Sequence, residues 1–374
     1  MDNPNWQQQL IQPALYRILD ANLDRVREGL RIIEEWCRFG LNHPEFTEEC
    51  KSLRQELASW HRAEFRSARD TLGDVGTHIT HEREAQRDDI KAVLQANFCR
   101  IQEALRVLEE YGKVQDPAMG EACKQMRYRV YSLESELLAH DRHQKLQAAT
   151  LYLVTSPANN IFNAVEAALQ GGLQLVQYRD KDSEDTLRLQ TAAKLAALCH
   201  DYGALFLIND RVDIALAVNA DGVHLGQQDI PIGLARQILG PNRIIGRSTT
   251  NPEELARAIQ EGADYIGVGP VHETPTKPGK SAAGLDYVRY AAEHSPLPWF
   301  AIGGINPDNV NAVVEAGARR VAVVRSLMQS EQPTLTTQYF LAQLNRPSRP
   351  GRDRQTALPP NALPLNAGSI PANS

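Results

Sequence analysis

The sequence predicts a (β/α)8 barrel preceded by an all-α domain, and three observations carry that prediction. From Tyr16 to about His140 apolar residues recur every three or four positions, the spacing of one helix face. Within that stretch one helical pattern occurs twice. After about Thr150 short β-branched runs alternate with Ala-rich helical stretches, the order of βα units around a parallel sheet. A length of 374 residues also exceeds the usual single-domain size.

The helical half shows its periodicity in Leu23, Val26, Leu30 and Ile33. Its repeat pairs Ala21-Asn22-Leu23-Asp24-Arg25-Val26-Arg27-Glu28-Gly29-Leu30-Arg31 with Ala96-Asn97-Phe98-Cys99-Arg100-Ile101-Gln102-Glu103-Ala104-Leu105-Arg106, and both copies run on into Glu-Glu pairs. The next helix repeats as well, Cys50-Lys51 and Arg54 matching Cys123-Lys124 and Arg127, so a duplicated helical hairpin and a pseudo-symmetric bundle are expected. The repeated Arg25, Glu28, Arg31 and Glu34, echoed by Arg100, Glu103, Arg106 and Glu109, admit two readings: a shared site, or ion pairs along a solvated helix face. Between the repeats, residues 66–76 combine arginines, hydroxyls and glycines able to receive phosphate, although no Walker-type loop is present.

Eight strands are expected at residues 151–155, 173–178, 205–208, 222–225, 243–246, 265–268, 299–302 and 320–324, each with room for a helix after it. Eight units in so short a stretch suit a small closed barrel better than an open sheet. Beyond Arg346 the Pro-, Arg-, Asn- and Ser-rich stretch lacks apolar periodicity. The expected organisation is therefore a helical domain at 1–145, a barrel at 146–345 and a disordered tail at 346–374.

In a parallel barrel chemistry sits at the C-terminal ends of the strands, and this sequence places its polar residues there. Strand two ends in Gln177-Tyr178-Arg179-Asp180-Lys181, and alternation puts Gln177, Arg179 and Lys181 on one face. That face is suited to gripping a diphosphate, or is a solvated charged turn. Strand three ends in Asn209-Asp210-Arg211 and strand four runs into Gly226-Gln227-Gln228-Asp229. Carboxylates from neighbouring strand ends suit a hard cation that bridges phosphates, so Asp210 and Asp229 are the expected Mg2+ ligands. Asp213 and Asp221 are weaker candidates, Asp213 as a helix start and Asp221 as a residue before strand four, at the wrong end of the barrel.

Strand five gives Arg247-Ser248-Thr249, and residues 269–280 form a loop with three prolines, two threonines and two lysines, the make-up of a partly rigid lid over an anion. His272 in this loop has no identifiable partner and reads as structural before it reads as an acid or base. Strands seven and eight end in Gly303-Gly304-Ile305-Asn306-Pro307 and Val323-Val324-Arg325-Ser326, where barrels commonly hold a phosphate.

A formal charge of −6 argues against a nucleic-acid or anionic-membrane footprint and leaves small phosphorylated molecules as the expected partners. The five cysteines contain no CxxC pair, so neither a zinc site nor a disulfide frame is suggested. With no signal-like N-terminus and no apolar run long enough to span a bilayer, a cytoplasmic location is expected. Oligomeric state is left open.

Taken together, Val176-Gln177-Tyr178-Arg179-Asp180-Lys181, Ile208-Asn209-Asp210-Arg211, Gly222-Val223-His224-Leu225-Gly226-Gln227-Gln228-Asp229, Thr274-Pro275-Thr276-Lys277 and Gly303-Gly304-Ile305 resemble the thiamine-phosphate synthases, from about Thr150 to Ser330. The resemblance implies condensation of hydroxymethylpyrimidine diphosphate with a thiazole phosphate, or its carboxylated form, and release of pyrophosphate. It implies that Gln177, Arg179, Lys181, Asn209, Ser248 and Lys277 bind the pyrimidine diphosphate, that Asp210 and Asp229 carry Mg2+, and that Thr274, Thr276, Gly304, Val324 and Ser326 hold the thiazole phosphate. No acid–base residue is expected, because an electron-rich aminopyrimidine can delocalise the cation left by departing pyrophosphate, and the site need only stabilise charge and align the acceptor. Arg325 departs from the pattern, where related sequences often carry a small or apolar residue.

The sister family of thiazole tautomerases is the enzymatic alternative, and a thiamine-phosphate sensor without turnover the non-enzymatic one; magnesium-dependent pyrophosphate release separates both from a synthase. The helical half resembles an N-terminal extension related to a monofunctional hydroxymethylpyrimidine phosphate kinase family. An oligomerisation module is its competing reading.

Overall fold

The computed structural model describes residues 5–71, 73–75, 87, 89–273 and 281–345. The expected tail and the Thr274, Thr276 and Lys277 portion of the expected lid lie outside the described residues.

Among the described residues five α-helices form the first half, α1 (Asn5–Glu35), α2 (Pro44–Ala58), α3 (Ala63–Ser67), α4 (Ile90–Gln115) and α5 (Pro117–Ala148), with a short π-helix, Trp36–Gly40, after α1. Leu15, Leu19, Leu23, Val26, Leu30 and Ile33 are all buried, so α1 presents one apolar stripe to its neighbours. The starts of α4 and α5 follow from capping carboxylates: Asp89 accepts from the Ala92 amide at 2.6 Å, and Asp116 from the Ala118 amide at 3.0 Å with Pro117 next in line.

The duplication is visible atom by atom. Asn22 Nδ2 donates to the Ile18 carbonyl at 2.8 Å, and Asn97 Nδ2 donates to the Val93 carbonyl at the same distance. The solvated-face reading holds for Arg25, Glu28, Arg100 and Glu103, which are exposed, and fails for two of the repeated residues. Glu34 and Glu109 are buried, and each is reached by an arginine from the following hairpin helix. Arg54 Nη1 lies 2.5 Å from Glu34, and Arg127 Nη2 lies 2.8 Å from Glu109, with Arg31 and Arg106 completing the two clamps. A buried carboxylate is tolerated only when paired in this way. For Glu109, burial pushes the carboxyl up, but the Arg127 and Arg106 contacts outweigh it and leave it below its ordinary value.

The second half is a closed parallel barrel with strands in sequential order, β1 (Leu151–Val154), β2 (Leu175–Tyr178), β3 (Leu205–Asn209), β4 (Gly222–Leu225), β5 (Ile244–Thr249), β6 (Tyr265–Val268), β7 (Trp299–Ile302) and β8 (Val321–Val323). Helices α6 (Ile161–Gln170), α7 (Asp185–Asp201), α8 (Val212–Ala217), α9 (Ile232–Leu239), α10 (Pro252–Gln260), α11 (Gly284–His294), α12 (Val310–Glu315) and α13 (Arg325–Met328) follow the strands in turn, and α14 (Pro333–Leu344) packs on α6. Alternation along each strand sorts the side chains: Leu153, Val176, Phe206, Val223, Ile266 and Val321 pack with the helices, whereas Tyr152, Leu175, Leu207, Tyr265 and Phe300 fill the barrel interior. Gly246 makes that filling possible, since a Cβ there would stand 2.2 Å from the Tyr265 ring. β5 runs three residues further than its apolar texture suggests, with Ser248 paired to Gly267 and Thr249 to Val268.

The end of α5 belongs to both halves. Leu146 and Ala149 are buried with the barrel-interior residues. One turn earlier, Arg142 Nε contacts Asp221 at 3.0 Å and His143 Nε2 contacts Asp264 at 3.2 Å. These carboxylates also accept the backbone amides of Phe206 at 2.9 Å and Ile245 at 2.7 Å. Asp221 therefore sits at the N-terminal end of the barrel, away from the strand ends that carry chemistry. Among the described residues no helix is long and apolar enough to cross a membrane.

The α5 junction should depend on pH. Burial raises Asp221 and Asp264, but His200, Arg142 and the Phe206 amide together outweigh it at the first and His143, Arg236 and the Ile245 amide at the second, so both carboxyls lie below their ordinary value; the Asp264 contact raises His143. A depressed carboxyl contributes stability above its unfolded pKa and loses it as pH falls through the folded value, while a raised histidine contributes below its unfolded pKa and loses it as pH rises through the folded one. The junction is thus tightest between about pH 4 and about pH 6.5, the ordinary carboxylate and histidine values. Hydrogen-exchange protection at the end of α5, taken relative to the base-catalysed intrinsic rate, should fall on the alkaline side in the wild type, and His143→Gln should flatten that limb. An unchanged limb would rule out the His143 contact as its cause.

Candidate active site

A cavity of about 440 Å³ opens at the C-terminal ends of the strands. Gln177, Arg179, Lys181, Asn209, Asp210, Asp229, Ser248, Gly304, Val324 and Ser326, taken from β2, β3, β4, β5, β7 and β8 or the loops after them, all line it. The remaining expected ligands, Thr274, Thr276 and Lys277, lie outside the described residues.

The cavity floor is polar in a particular way. Tyr152 and Tyr265, both fully enclosed in the barrel, share a hydroxyl–hydroxyl hydrogen bond of 2.9 Å, and Gln177 Nε2 donates to the Tyr152 hydroxyl. His224 continues the chain, Nδ1 at 2.9 Å from the Tyr265 hydroxyl and Nε2 at 2.9 Å from Ser248 Oγ. Burial pushes both phenols above their usual range, so they stay neutral and act as hydrogen-bonding partners. Sequence reasoning passed over Tyr152 and His224. The signal for His224 was a polar residue between Val223 and Leu225, two side chains that pack outward, so that alternation turns the imidazole inward.

One wall carries charge. Lys181 Nζ lies 2.9 Å from Asp210 Oδ2, and the Asp229 carboxyl adjoins that of Asp210 closely enough for each to perturb the other. Burial raises both, but Asp229 and Lys181 bring Asp210 below its ordinary value, while burial and the Asp210 contact leave Asp229 above its own. Asp210 adopts φ +62°, a left-handed conformation that aspartate tolerates better than most residues. Its neighbour Asp213 pairs with Arg211 instead of facing the cavity.

Among the described residues no group of three or more His, Cys, Asp or Glu is placed to hold a metal. Two adjoining carboxylates nevertheless fit Mg2+, which prefers oxygen donors and commonly keeps waters and substrate phosphates in its other positions.

The opposite wall is built for close backbone approach. Gly303 and Gly304 have φ +108° and +65°, and a Cβ on Gly303 would stand 2.5 Å from Pro270. Asn309 Nδ2 donates to the Gly304 carbonyl at 2.8 Å, and Ser326 Oγ donates to the Ile305 carbonyl at 2.7 Å. Arg325 is exposed and lines the cavity here, a cation that strand-end reasoning alone left without a role. His272 does not line the cavity, and its Nε2 is buried without a hydrogen-bond partner among the described residues.

In the helical half, Arg69 of the 66–76 segment is held by Asp20 at 2.6 Å and by Asp24, and Arg17 reaches Asp70 at 3.8 Å. Arg69 is thus already engaged by two carboxylates.

Comparison with known proteins bears on this geometry. Residues 151–327 match the family described as thiamine monophosphate synthase, and residues 17–136 match the ThiD2 family. The thiamine-phosphate synthase of a Nostoc species is 69% identical over 346 residues, covering 92% of this chain and 99% of that protein. The chain belongs to the thiamine-phosphate synthase family. The Synechocystis thiamine-phosphate synthase is 65% identical, covering 91% of this chain and 99% of its own. Both relatives span the helical half and the barrel together. A thiamine phosphate pyrophosphorylase from Pyrococcus furiosus aligns at 36% identity over 54% of this chain and 96% of its own, with a TM-score of 0.49. As a member of the thiamine-phosphate synthase family, the chain is a transferase of thiamine biosynthesis built on a (β/α)8 barrel.

Proposed function

We propose that the strand-end cavity joins a pyrimidine diphosphate to a thiazole phosphate, with each wall holding one substrate. The observation that carries this reading is the meeting of Lys181, Asp210 and Asp229 on one wall and of Gly303, Gly304 and Ser326 on the other. Asp210 and Asp229 would hold Mg2+, which neutralises charge on the leaving diphosphate. Lys181, Arg179 and Asn209 bind the same diphosphate. Gln177 and Ser248, fixed by Tyr152 and His224, present hydrogen-bonding groups to the pyrimidine ring. Gly304, Val324 and Ser326 seat the thiazole phosphate, and the family resemblance adds Thr274 and Thr276 to that phosphate and Lys277 to the diphosphate. Proton transfer is not needed in the slow step, so no acid or base is assigned. The acceptor nitrogen is held in line with the carbon that loses pyrophosphate, and excluding water protects the cationic pyrimidine.

The ThiD2 match supports a second activity on the same chain, phosphorylation of the pyrimidine monophosphate in the helical half. The chain would then consist of two domains that share α5, the first supplying the diphosphate that the second consumes.

The test uses the full-length protein. Supplied with both phosphorylated halves it should form thiamine monophosphate and pyrophosphate in the presence of Mg2+ and none with chelator. Supplied instead with ATP, Mg2+ and the pyrimidine monophosphate, an Asp210→Asn variant should accumulate the diphosphate. Absence of product in the first arm would remove the cavity assignment, and absence in the second would remove the kinase.

A further inference from the structure

Asp185 and Arg211 stand outside the cavity, yet they join the two loops whose charges meet inside it. Arg211 directly follows Asp210. Its guanidinium makes two forked contacts: Nη1 and Nη2 on Asp185 at 2.7 and 3.1 Å, and Nε and Nη2 on Asp213 at 2.9 and 2.6 Å. Asp185 opens α7, at the far end of the loop that carries Lys181.

That loop is itself tied together. Asp180 Oδ1 accepts the amides of Asp182 at 3.1 Å and Ser183 at 3.0 Å. Arg188 Nη1 reaches Asp185 at 3.0 Å, and its Nη2 donates to the carbonyls of Ser183 at 2.5 Å and Lys181 at 3.4 Å. A continuous set of bonds therefore runs from the backbone of Lys181 through Arg188, Asp185 and Arg211 to the backbone next to Asp210.

The Lys181–Asp210 contact of 2.9 Å spans the same gap, and neither partner keeps its place unaided. Lys181 is an exposed side chain with several free rotors, and Asp210 sits in a left-handed conformation that costs free energy. Ion pairs as exposed as those of Asp185, 60% accessible, contribute little to stability. A planar guanidinium gripped on two sides does fix geometry.

We propose that Asp185 and Arg211 are positioning residues that set the distance between Lys181 and Asp210, and so the affinity of the site for a magnesium-bound diphosphate. The inference rests on the reading of that wall as the diphosphate site. It predicts a loss confined to one substrate.

Asp185→Ala in the full-length protein should weaken binding of inorganic pyrophosphate with Mn2+, measured by calorimetry without turnover, by about tenfold, the scale of supporting-residue effects at metal sites. KM for the pyrimidine diphosphate should rise in step, while kcat, KM for the thiazole phosphate and the melting temperature stay at wild-type values. Arg211→Lys, which keeps the charge and loses the fork, should show the same selective loss. In a Lys181→Ala background, Asp185→Ala should add almost nothing, because the two act through one contact. Full additivity in that background, or an equal loss for both substrates, overturns the positioning role. If Lys181→Ala and Asp210→Asn leave pyrophosphate binding intact, the diphosphate assignment of the wall fails first and the positioning role falls with it.

Discussion

Asp210→Asn should lower kcat/KM by a factor of about 10²–10³, the loss typical of removing one preorganised charge-stabilising group from an active site. Asparagine keeps the shape and tolerates the left-handed backbone at φ +62°, so the loss reports charge and not folding. Removing the negative charge takes away one of two adjoining carboxylates and leaves Lys181 without its partner at 2.9 Å. Asp210→Ala should lose as much activity and also some stability, roughly 1–2 kcal/mol, because alanine is strained where aspartate is tolerated. Steady-state kinetics across a magnesium titration, beside thermal melts of both variants, separate the two effects. Activity within threefold of wild type in Asp210→Asn would remove Asp210 from the cation site.

Glu109→Ala should cost about 3 kcal/mol or more of stability, the usual result of leaving half of a buried ion pair behind. Arg127 is 12% exposed and holds Glu109 through two nitrogens, so once the carboxylate is gone its charge has little access to water. The internal duplication provides the comparison. Glu34→Ala should cost less, because its partner Arg54 is 29% exposed and can turn outward. The double change Glu109→Leu with Arg127→Met should recover much of the loss, since apolar side chains of similar volume replace such pairs well. Urea denaturation of the four proteins measures the series, and equal losses in Glu34→Ala and Glu109→Ala would contradict the exposure argument. The Glu109 contribution should also fade in acid, because a depressed carboxyl loses its stabilising effect as pH falls through its folded pKa.

Much of the barrel was legible because its signals are local. A strand exposes alternate residues to one side, so Gln177, Arg179 and Lys181 could be assigned to one face before any fold was known, and they line one cavity. The strand-end rule for parallel barrels located Asn209, Asp210, Asp229, Gly304, Val324 and Ser326 in the same way. It failed to extend β5 through Arg247, because a charged residue looks like the end of a strand; here the side chain is buried, with its guanidinium on the Gly226 carbonyl and Glu261. It also passed over Tyr152 and His224, whose importance comes from touching Tyr265, a residue 41 or more positions away along the chain.

The sequence by itself determined the helical repeat, the eight strand–helix units and the end of the barrel where chemistry collects, because each depends on hydrogen bonding and side-chain direction among residues close in the chain. Only the tertiary structure decided which charges meet. Glu34 and Glu109 look like surface residues until a second helix covers them, and Asp210 meets Asp229 and Lys181 only because the barrel sets β2, β3 and β4 side by side. Likewise α5 continues past the expected boundary at residue 145 because Leu146 finds its apolar surroundings in the barrel interior. Periodicity is a one-dimensional property of the chain, whereas burial and pairing depend on what the rest of the molecule brings near.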